Sequence, residues 1–182
     1  MIRANIQIVI CPLSRISAPK EIILSLGTEF ARKYHLPVPY QVVTRPRQKP
    51  HFDCDGIYYS ISHSGDYWAC GLSDTPLGID LQRHQPCRQA RIAGRFFHPA
   101  EADWLASRPD DAFFQIWTAK ESYVKFTGEG ITDQFSCFSV VNPDGGIDCC
   151  RNGYFQFLPF QDGFTFCVCS AKPAQITLIQ QS

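Results

Sequence analysis

The stretch Pro76-Leu-Gly-Ile-Asp-Leu-Gln82 has the pattern of a strand that carries polar side chains on one face. Side chains two residues apart on a strand point the same way, so Asp80 and Gln82 face one side while Ile79 and Leu81 pack on the other. Oxygen ligands then line one surface of the strand. Taken alone, Asp80 has a plainer interpretation as a capping or surface aspartate of a turn.

A second segment, Trp117-Thr-Ala-Lys-Glu-Ser-Tyr-Val-Lys125, has helical spacing. Glu121 and Lys125 lie one turn apart on one face, with Phe114 and Trp117 on earlier turns below them. A carboxylate beside a positive charge suits a divalent metal and phosphate groups. The alternative is an exposed ion pair worth about 0.2 to 0.5 kcal/mol, although the helix is otherwise largely apolar.

Several short motifs follow one another between about Arg45 and Val140. They are Gln48-Lys49-Pro50, Ser60-Ile61-Ser62-His63-Ser64-Gly65, Gly78-Ile79-Asp80, Phe96-Phe97 with Glu101, and Trp117-Thr-Ala-Lys-Glu-Ser122 with Lys125. Their order resembles the signature of the 4′-phosphopantetheinyl transferases, of the surfactin-synthetase-activating type. Outside this span the chain shows only patterning that is compatible with the family.

The resemblance implies an α+β fold, the 4′-phosphopantetheinyl transferase fold, within a single compact unit of residues 1–182. Two pseudo-twofold-related halves, about 1–80 and 81–182, would each pack a helix on antiparallel strands. The length alone also favours one domain. Because an internal pseudo-dimer completes its own site, a monomer is expected.

The resemblance also implies the reaction of a holo-[acyl-carrier-protein] synthase type enzyme. The 4′-phosphopantetheine group of coenzyme A would move to a serine of an acyl or peptidyl carrier protein with Mg²⁺, releasing adenosine 3′,5′-bisphosphate. One open alternative is a homologue that binds coenzyme A or the carrier without catalysis. The pathway of the carrier, whether for fatty acids, polyketides or nonribosomal peptides, stays open.

The family assigns roles to several side chains of the motifs. The catalytic residues would be Glu121 and Lys125. The metal ligands would be Asp80, Glu121, Gln82 and Glu101. The residues that hold coenzyme A would be Lys49, Ser62, His63, Lys120, Lys125 and Arg45, with Arg47 extending the basic rim.

Plainer interpretations accompany some of these residues. His63 also fits a satisfied half-buried histidine, Glu101 a favourable charge in the first turn of a helix, and Arg45 a solvated loop. Gln82 departs from the glutamate that the family often has, and a neutral amide removes one negative charge from the metal site.

The overall charge and hydropathy of the chain argue against some classes of partner and location. Seventeen basic and seventeen acidic residues cancel, so no global field favours nucleic acid or an anionic membrane. The start of the chain alternates like a strand, and no segment reaches membrane-spanning length. A cytoplasmic location is expected.

The nine cysteines lack any Cys-x-x-Cys spacing. Adjacent and alternating cysteines among apolar neighbours favour reduced, mostly buried thiols. A cysteine-based metal or redox protein is the minor alternative.

Periodicity predicts the elements around the motifs. Helices are expected at Pro19 to Tyr34, Arg88 to Arg95, from Pro99, and from Asp110 to Phe126 before Gly128. Strands are expected at Gly56 to His63, Tyr67 to Leu72, around Asp80, and at Phe135 to Val141, Gly153 to Pro159 and Gly163 to Ala171.

Overall fold

A computed structural model describes residues 3–46, 48–130 and 133–181 of the chain. The fold is α+β, as predicted. The strands are β1 (Ala4–Pro12), β2 (Val42–Val43), β3 (His51–Phe52), β4 (Tyr58–Ser64), β5 (Tyr67–Ser73), β6 (Leu77–Arg83), β7 (Cys149–Cys150), β8 (Gly153–Phe157), β9 (Phe164–Ser170) and β10 (Ala174–Gln180). The helices are α1 (Pro19–Tyr34), α2 (Gln89–Phe96), α3 (Pro99–Leu105) and α4 (Ala112–Thr127), with 3-10 helices at Leu13–Arg15 and Asp133–Cys137.

The first sheet has the strand order β10-β1-β5-β4. β1 pairs antiparallel with β5 and parallel with β10, and β4 pairs antiparallel with β5. Helix α1 covers one face, where Ile23 and Phe30 pack with Trp68 and Leu72. The short β2–β3 hairpin holds the loop with Lys49 beside this sheet.

The second sheet is antiparallel, with the strand order β6-β9-β8-β7. Helix α4 lies on one face of it, and Ile116 and Tyr123 of the helix join Phe155 and Cys167 in one core cluster. The helix ends at Gly128, which has a positive φ of 80° and donates its N–H to the Val124 carbonyl. Glycine takes this conformation without the steric cost of a Cβ, so it stops the helix.

Strand β6 joins the two sheets. Its apolar side chains share a cluster with those of β1 and β9. Its backbone N–H groups bond to hydroxyls of β4: Ile79 donates to Ser60 Oγ (3.1 Å), Leu81 to Ser62 Oγ (3.0 Å) and Arg83 to Ser64 Oγ (2.9 Å). We call these three bonds the serine ladder. Side chains therefore link the sheets where a continuous sheet would use backbone groups on both strands.

Gly78 sets the distance between β6 and α4. A Cβ at this position would overlap the carbonyl oxygen of Ser122 and the amide nitrogen of Phe126. Both atoms belong to helix backbone and cannot move by rotating a side chain. Gly78 is thus required for the close approach that brings Asp80 next to α4.

Most predicted elements are present within a few residues of their expected bounds. The strand predicted at Phe135 to Val141 is wrong, because Asp133–Cys137 forms a 3-10 helix. Phe135 within this helix and Phe138 directly after it are three residues apart and both buried, a spacing close to one 3-10 turn. Strand β10, Ala174–Gln180, is an element that the periodicity did not predict.

The predicted boundary between residues 80 and 81 lies within β6, and β10 returns to the sheet of β1. The pseudo-twofold relation of two halves stays a prediction. No helix in the described ranges is both long enough and apolar enough to cross a bilayer.

The cysteines are placed largely as expected. Five of the nine are buried: Cys11, Cys70, Cys150, Cys167 and Cys169. Burial raises the pKa of the Cys70 thiol. Across ranges 3–46, 48–130 and 133–181, no three His, Cys, Asp or Glu side chains cluster as a metal site.

Candidate active site

Asp80 occupies the centre of the candidate site, and it is 5% exposed. Its Oδ1 accepts hydrogen bonds from Lys125 Nζ (2.6 Å) and Ser62 Oγ (2.9 Å). Its Oδ2 is buried and has no hydrogen-bond partner among the described residues. Because an unsatisfied buried carboxylate oxygen is costly, this atom marks a place for a ligand.

Glu121 lies one turn before Lys125 on α4, near enough to Asp80 for the two carboxylates to repel each other. Burial, helped by the nearby Asp80 carboxylate and opposed by Lys125, raises its pKa to about 7. Burial also raises the pKa of Asp80, against the lowering effect of Lys125 and Ser62. Two partly desolvated carboxylates with one ammonium leave negative charge uncompensated.

These observations provide a test of the metal that the resemblance implies. A divalent cation with oxygen ligands would satisfy the free oxygen of Asp80 and relieve its repulsion with Glu121. Mg²⁺ commonly binds through one or two carboxylates plus substrate phosphates and water. The residues present therefore fit such an ion.

A pocket of about 460 Å³ adjoins Lys125. It is lined by Gln48, Lys49, Pro50, Tyr59, Ser60, Ile61, Val124, Lys125, Gly128, Glu129 and Gly130. Lys49 Nζ donates to the Leu77 carbonyl (2.6 Å), and burial lowers its pKa to about 8. Two lysines at an otherwise largely apolar pocket suit a ligand that has an anionic end and an uncharged arm.

Ser62 and His63 are neighbours in sequence but lie in different environments. Ser62 is buried against β6, whereas His63 is exposed, because successive residues of β4 point to opposite faces. Even so, charge on His63 lowers the pKa of Asp80. Arg45 is exposed in the β2–β3 hairpin, and Arg47 lies outside the described residues.

The structure does not bring Lys120 and Glu101 to this pocket. Both side chains are 0% exposed and form an ion pair of 3.0 Å, and Lys120 also donates to the Phe138 carbonyl (2.7 Å). Glu101 further accepts the N–H groups of His98 and Val140, each at 2.8 Å. Both oxygens of Glu101 are therefore occupied within a closed structural pair that joins α3, α4 and the segment before Val140.

Comparison with known proteins decides the family. A sequence model of the 4′-phosphopantetheinyl transferase superfamily matches residues 76–177, from the start of β6 to the middle of β10. The chain belongs to the 4′-phosphopantetheinyl transferase superfamily. The match includes Asp80, Glu121 and Lys125.

Individual transferases of this superfamily are similar over a longer part of the chain. The 4′-phosphopantetheinyl transferase gsp of Aneurinibacillus migulanus is 37% identical over 129 residues, covering 63% of this chain and 52% of that protein. Sfp of Bacillus subtilis (strain 168) is 33% identical, covering 66% of this chain and 58% of Sfp. AcpT of Salmonella typhimurium is 30% identical, covering 78% of this chain and 72% of AcpT. The chain thus spans little more than half of the length of gsp and Sfp.

Gln82 is the residue for which the resemblance leads one to expect a glutamate. It is half-buried on the same face of β6 as Asp80, and its Nε2 donates to the Arg83 carbonyl at 3.2 Å. That hydrogen bond engages the side-chain amide nitrogen with a backbone carbonyl and leaves the amide oxygen free of it. The amide oxygen remains a neutral ligand at most, so the carboxylates of the site come from Asp80 and Glu121.

Sequence reasoning missed part of the site. Tyr59, Ile61 and Val124 line the pocket, but their apolar character gave no signal beyond core packing. The role of the serine ladder was also missed, although Ser60, Ser62 and Ser64 alternate on β4 and so share one face. That alternation is the signal that identifies a polar seam on a strand.

Proposed function

We propose that the protein transfers the 4′-phosphopantetheine group of coenzyme A to a serine hydroxyl of an acyl or peptidyl carrier protein. The observation that carries this proposal is the buried Oδ2 of Asp80, which has no partner in the described part of the chain and lies beside Glu121, next to a pocket with two lysines. Coenzyme A offers a pyrophosphate for the cationic end of that pocket and an uncharged pantetheine arm for the rest. The products are the holo carrier and adenosine 3′,5′-bisphosphate.

Asp80 and Glu121 would hold Mg²⁺, with the amide oxygen of Gln82 as a neutral neighbour. When bound, the ion supplies positive charge that offsets the negative charge of the pyrophosphate. Lys125, already fixed by Asp80, would contact the phosphate that is attacked, and Lys49 would contact a second phosphate. Positioning and charge neutralisation are the main contributions that proteins make to phosphoryl transfer.

The bond changes of the reaction balance simply. The serine oxygen of the carrier forms a bond to the phosphorus that bears the pantetheine arm, and the bond from that phosphorus to the bridging oxygen breaks. The bridging oxygen leaves with adenosine 3′,5′-bisphosphate. Glu121 would accept the serine proton, directly or through water, as the carboxylate of α4 beside the attacked phosphate.

The site draws on both predicted halves, which supports one unit acting as a monomer. Ser62 and Lys49 come from elements before β6, whereas Glu121 and Lys125 come from α4. Asp80 lies on the strand between them. A single chain thus provides both sides of the site.

Intact mass spectrometry of apo carrier proteins tests the proposed function. Each carrier is incubated with this protein and coenzyme A, once with Mg²⁺ and once with a chelator. A mass gain of one phosphopantetheine arm, only with Mg²⁺, is expected on at least one carrier. Asp80→Ala should abolish the gain with an unchanged circular dichroism spectrum, while Asp162→Ala, in an exposed turn before β9, should not. Near-normal transfer by Asp80→Ala would overturn the assignment.

A second candidate function is a binding protein for coenzyme A or a carrier that has lost catalysis. Gln82 is the observation in its favour, because it lowers the negative charge of the metal site. Gln82→Glu separates the candidates. A large gain in transfer favours a decayed enzyme, whereas little change shows that glutamine is an adequate substitute.

A further inference from the structure

The hydroxyl of Ser62 uses all of its hydrogen-bonding capacity within the protein. A serine hydroxyl has one hydrogen to donate and two lone pairs to accept. Ser62 Oγ donates to Asp80 Oδ1 (2.9 Å) and accepts from Leu81 N–H (3.0 Å) and Lys125 Nζ (3.2 Å). The side chain is also buried, at 5% exposure of the residue. No capacity remains for a phosphate of a ligand.

The three partners of Ser62 belong to the two elements that carry the candidate site. Asp80 and Leu81 lie on β6, and Lys125 lies on α4, whereas Ser62 itself belongs to the first sheet. The donated bond fixes Oδ1 of Asp80, which also takes the Lys125 ammonium. Among the described residues, only Oδ2 of Asp80 is then left without a hydrogen-bond partner.

We infer that Ser62 is a positioning residue: it fixes Oδ1 of the Asp80 carboxylate so that Oδ2 stays available to a cation, and it holds Lys125 in place. The inference rests on the proposed function. It differs from the role that the resemblance implies, in which Ser62 contacts a phosphate of coenzyme A. A residue that orients a metal ligand acts on metal affinity and turnover rather than on the binding of coenzyme A itself.

Ser64 provides a matched control on the same strand. Its Oγ accepts the Arg83 N–H (2.9 Å) in the serine ladder, just as Ser62 accepts the Leu81 N–H. The hydrogen bonds of the described residues do not link Ser64 to Asp80 or Lys125. Ser64→Ala therefore removes one bond of the ladder and leaves the orientation of Asp80 intact.

The experiment compares the wild type with Ser62→Ala, Ser62→Cys and Ser64→Ala in three measurements. Mn²⁺ binding is followed by electron paramagnetic resonance of the free ion, with saturating coenzyme A and no carrier. Coenzyme A binding is measured by calorimetry in a chelator. Transfer to a carrier gives kcat and the KM for coenzyme A.

Ser62→Ala should weaken Mn²⁺ binding and lower kcat, each by about 10- to 100-fold, as outer-shell substitutions of metal ligands commonly do. Its coenzyme A affinity in the chelator should stay within about twofold of the wild type. Ser62→Cys, which keeps a weak donor of similar shape, should give a smaller loss than alanine. Ser64→Ala should match the wild type in Mn²⁺ binding.

Two results would overturn the inference. Tenfold weaker coenzyme A binding in the chelator with unchanged Mn²⁺ binding would make Ser62 a phosphate ligand. Ser62 variants that match Ser64→Ala in every measurement would show that Ser62 contributes only a hydrogen bond of the serine ladder. If Ser62→Ala fails to fold, Ser62→Cys decides between the same outcomes. A wild type that neither binds Mn²⁺ nor transfers would instead contradict the proposed function.

Discussion

Replacing Lys120 by methionine tests whether this residue belongs to the core or to the pocket. Lys120 Nζ lies 3.1 Å and 3.0 Å from the two oxygens of Glu101 and 2.7 Å from the Phe138 carbonyl, and both charged side chains are fully buried. Methionine keeps the long apolar stem and removes the charge. The Glu101 carboxylate then remains buried without its counter-ion.

The expected loss follows from these contacts. Removing one partner of a buried ion pair costs about 3 to 5 kcal/mol. Glu101 keeps the N–H groups of His98 and Val140 as donors, which favours the lower part of that range. We expect a decrease of about 3 to 4 kcal/mol in the free energy of unfolding. For a chain of this size, that corresponds to a fall of about 6 to 16 °C in Tm.

Urea unfolding followed by circular dichroism measures this loss, with Lys172→Met as the control. Lys172 is exposed between β9 and β10, so its variant should stay within about 0.5 kcal/mol of the wild type. Coenzyme A binding of folded Lys120→Met should be unchanged, because Lys120 is not among the residues that line the pocket. A variant with wild-type stability and tenfold weaker coenzyme A binding would refute the reasoning and make Lys120 a ligand residue.

Three further perturbations address the site and its frame. Gly78→Ala should lower both the urea midpoint and the rate of transfer, because its Cβ would meet helix backbone. Gly94→Ala has open space around the new Cβ and should stabilise α2 by about 0.5 to 1 kcal/mol. Equal urea midpoints for the two variants would contradict this expectation. Because the pKa of Glu121 is raised to about 7, the stability from its proton is present at acidic pH and lost as pH rises toward 7. In a chelator, the urea midpoint of the wild type should therefore fall more between pH 5 and 8 than that of Glu121→Gln. If the midpoints of the two proteins fall by the same amount, Glu121 is not the source of the pH dependence. Burial lowers the pKa of Lys49 to about 8, so coenzyme A binding measured by calorimetry should weaken above that pH. Lys49→Met should bind coenzyme A weakly at every pH. An identical pH profile for the wild type and this variant would show that Lys49 does not contact coenzyme A.

The local sequence predicted the elements that carry the site well. Helix α1 begins and ends at the predicted residues, Pro19 and Tyr34, because a proline starts it and the apolar spacing is regular. The strand around Asp80 and the helix ending before Gly128 were likewise predicted. The structure adds the reason why these two elements meet, which is the absence of a side chain at Gly78.

Sequence spacing did not decide the direction of neighbouring helical residues. Lys120 and Glu121 are adjacent and both charged, yet they point about 100° apart around the helix. One meets Glu101 in the core and the other lies beside Asp80. Which side of α4 faces the pocket depends on how the helix packs between elements far away in sequence. The resemblance placed both residues at the site, Glu121 at the metal and Lys120 at coenzyme A, and only the packing of α4 separates them.

Strand β10 has a consequence for the order in which the chain acquires structure. It pairs with β1, from Ala4 opposite Ala174 to Ile10 opposite Gln180, so this ladder closes between opposite ends of the described chain. Ladders between segments so distant in sequence form late, because the loop entropy is lost before the contacts form. During synthesis on the ribosome, β1 therefore waits as an open, isoleucine-rich sheet edge until β10 emerges. Such an edge is a site for pairing between nascent chains, and folding yield should depend on how soon β10 covers it.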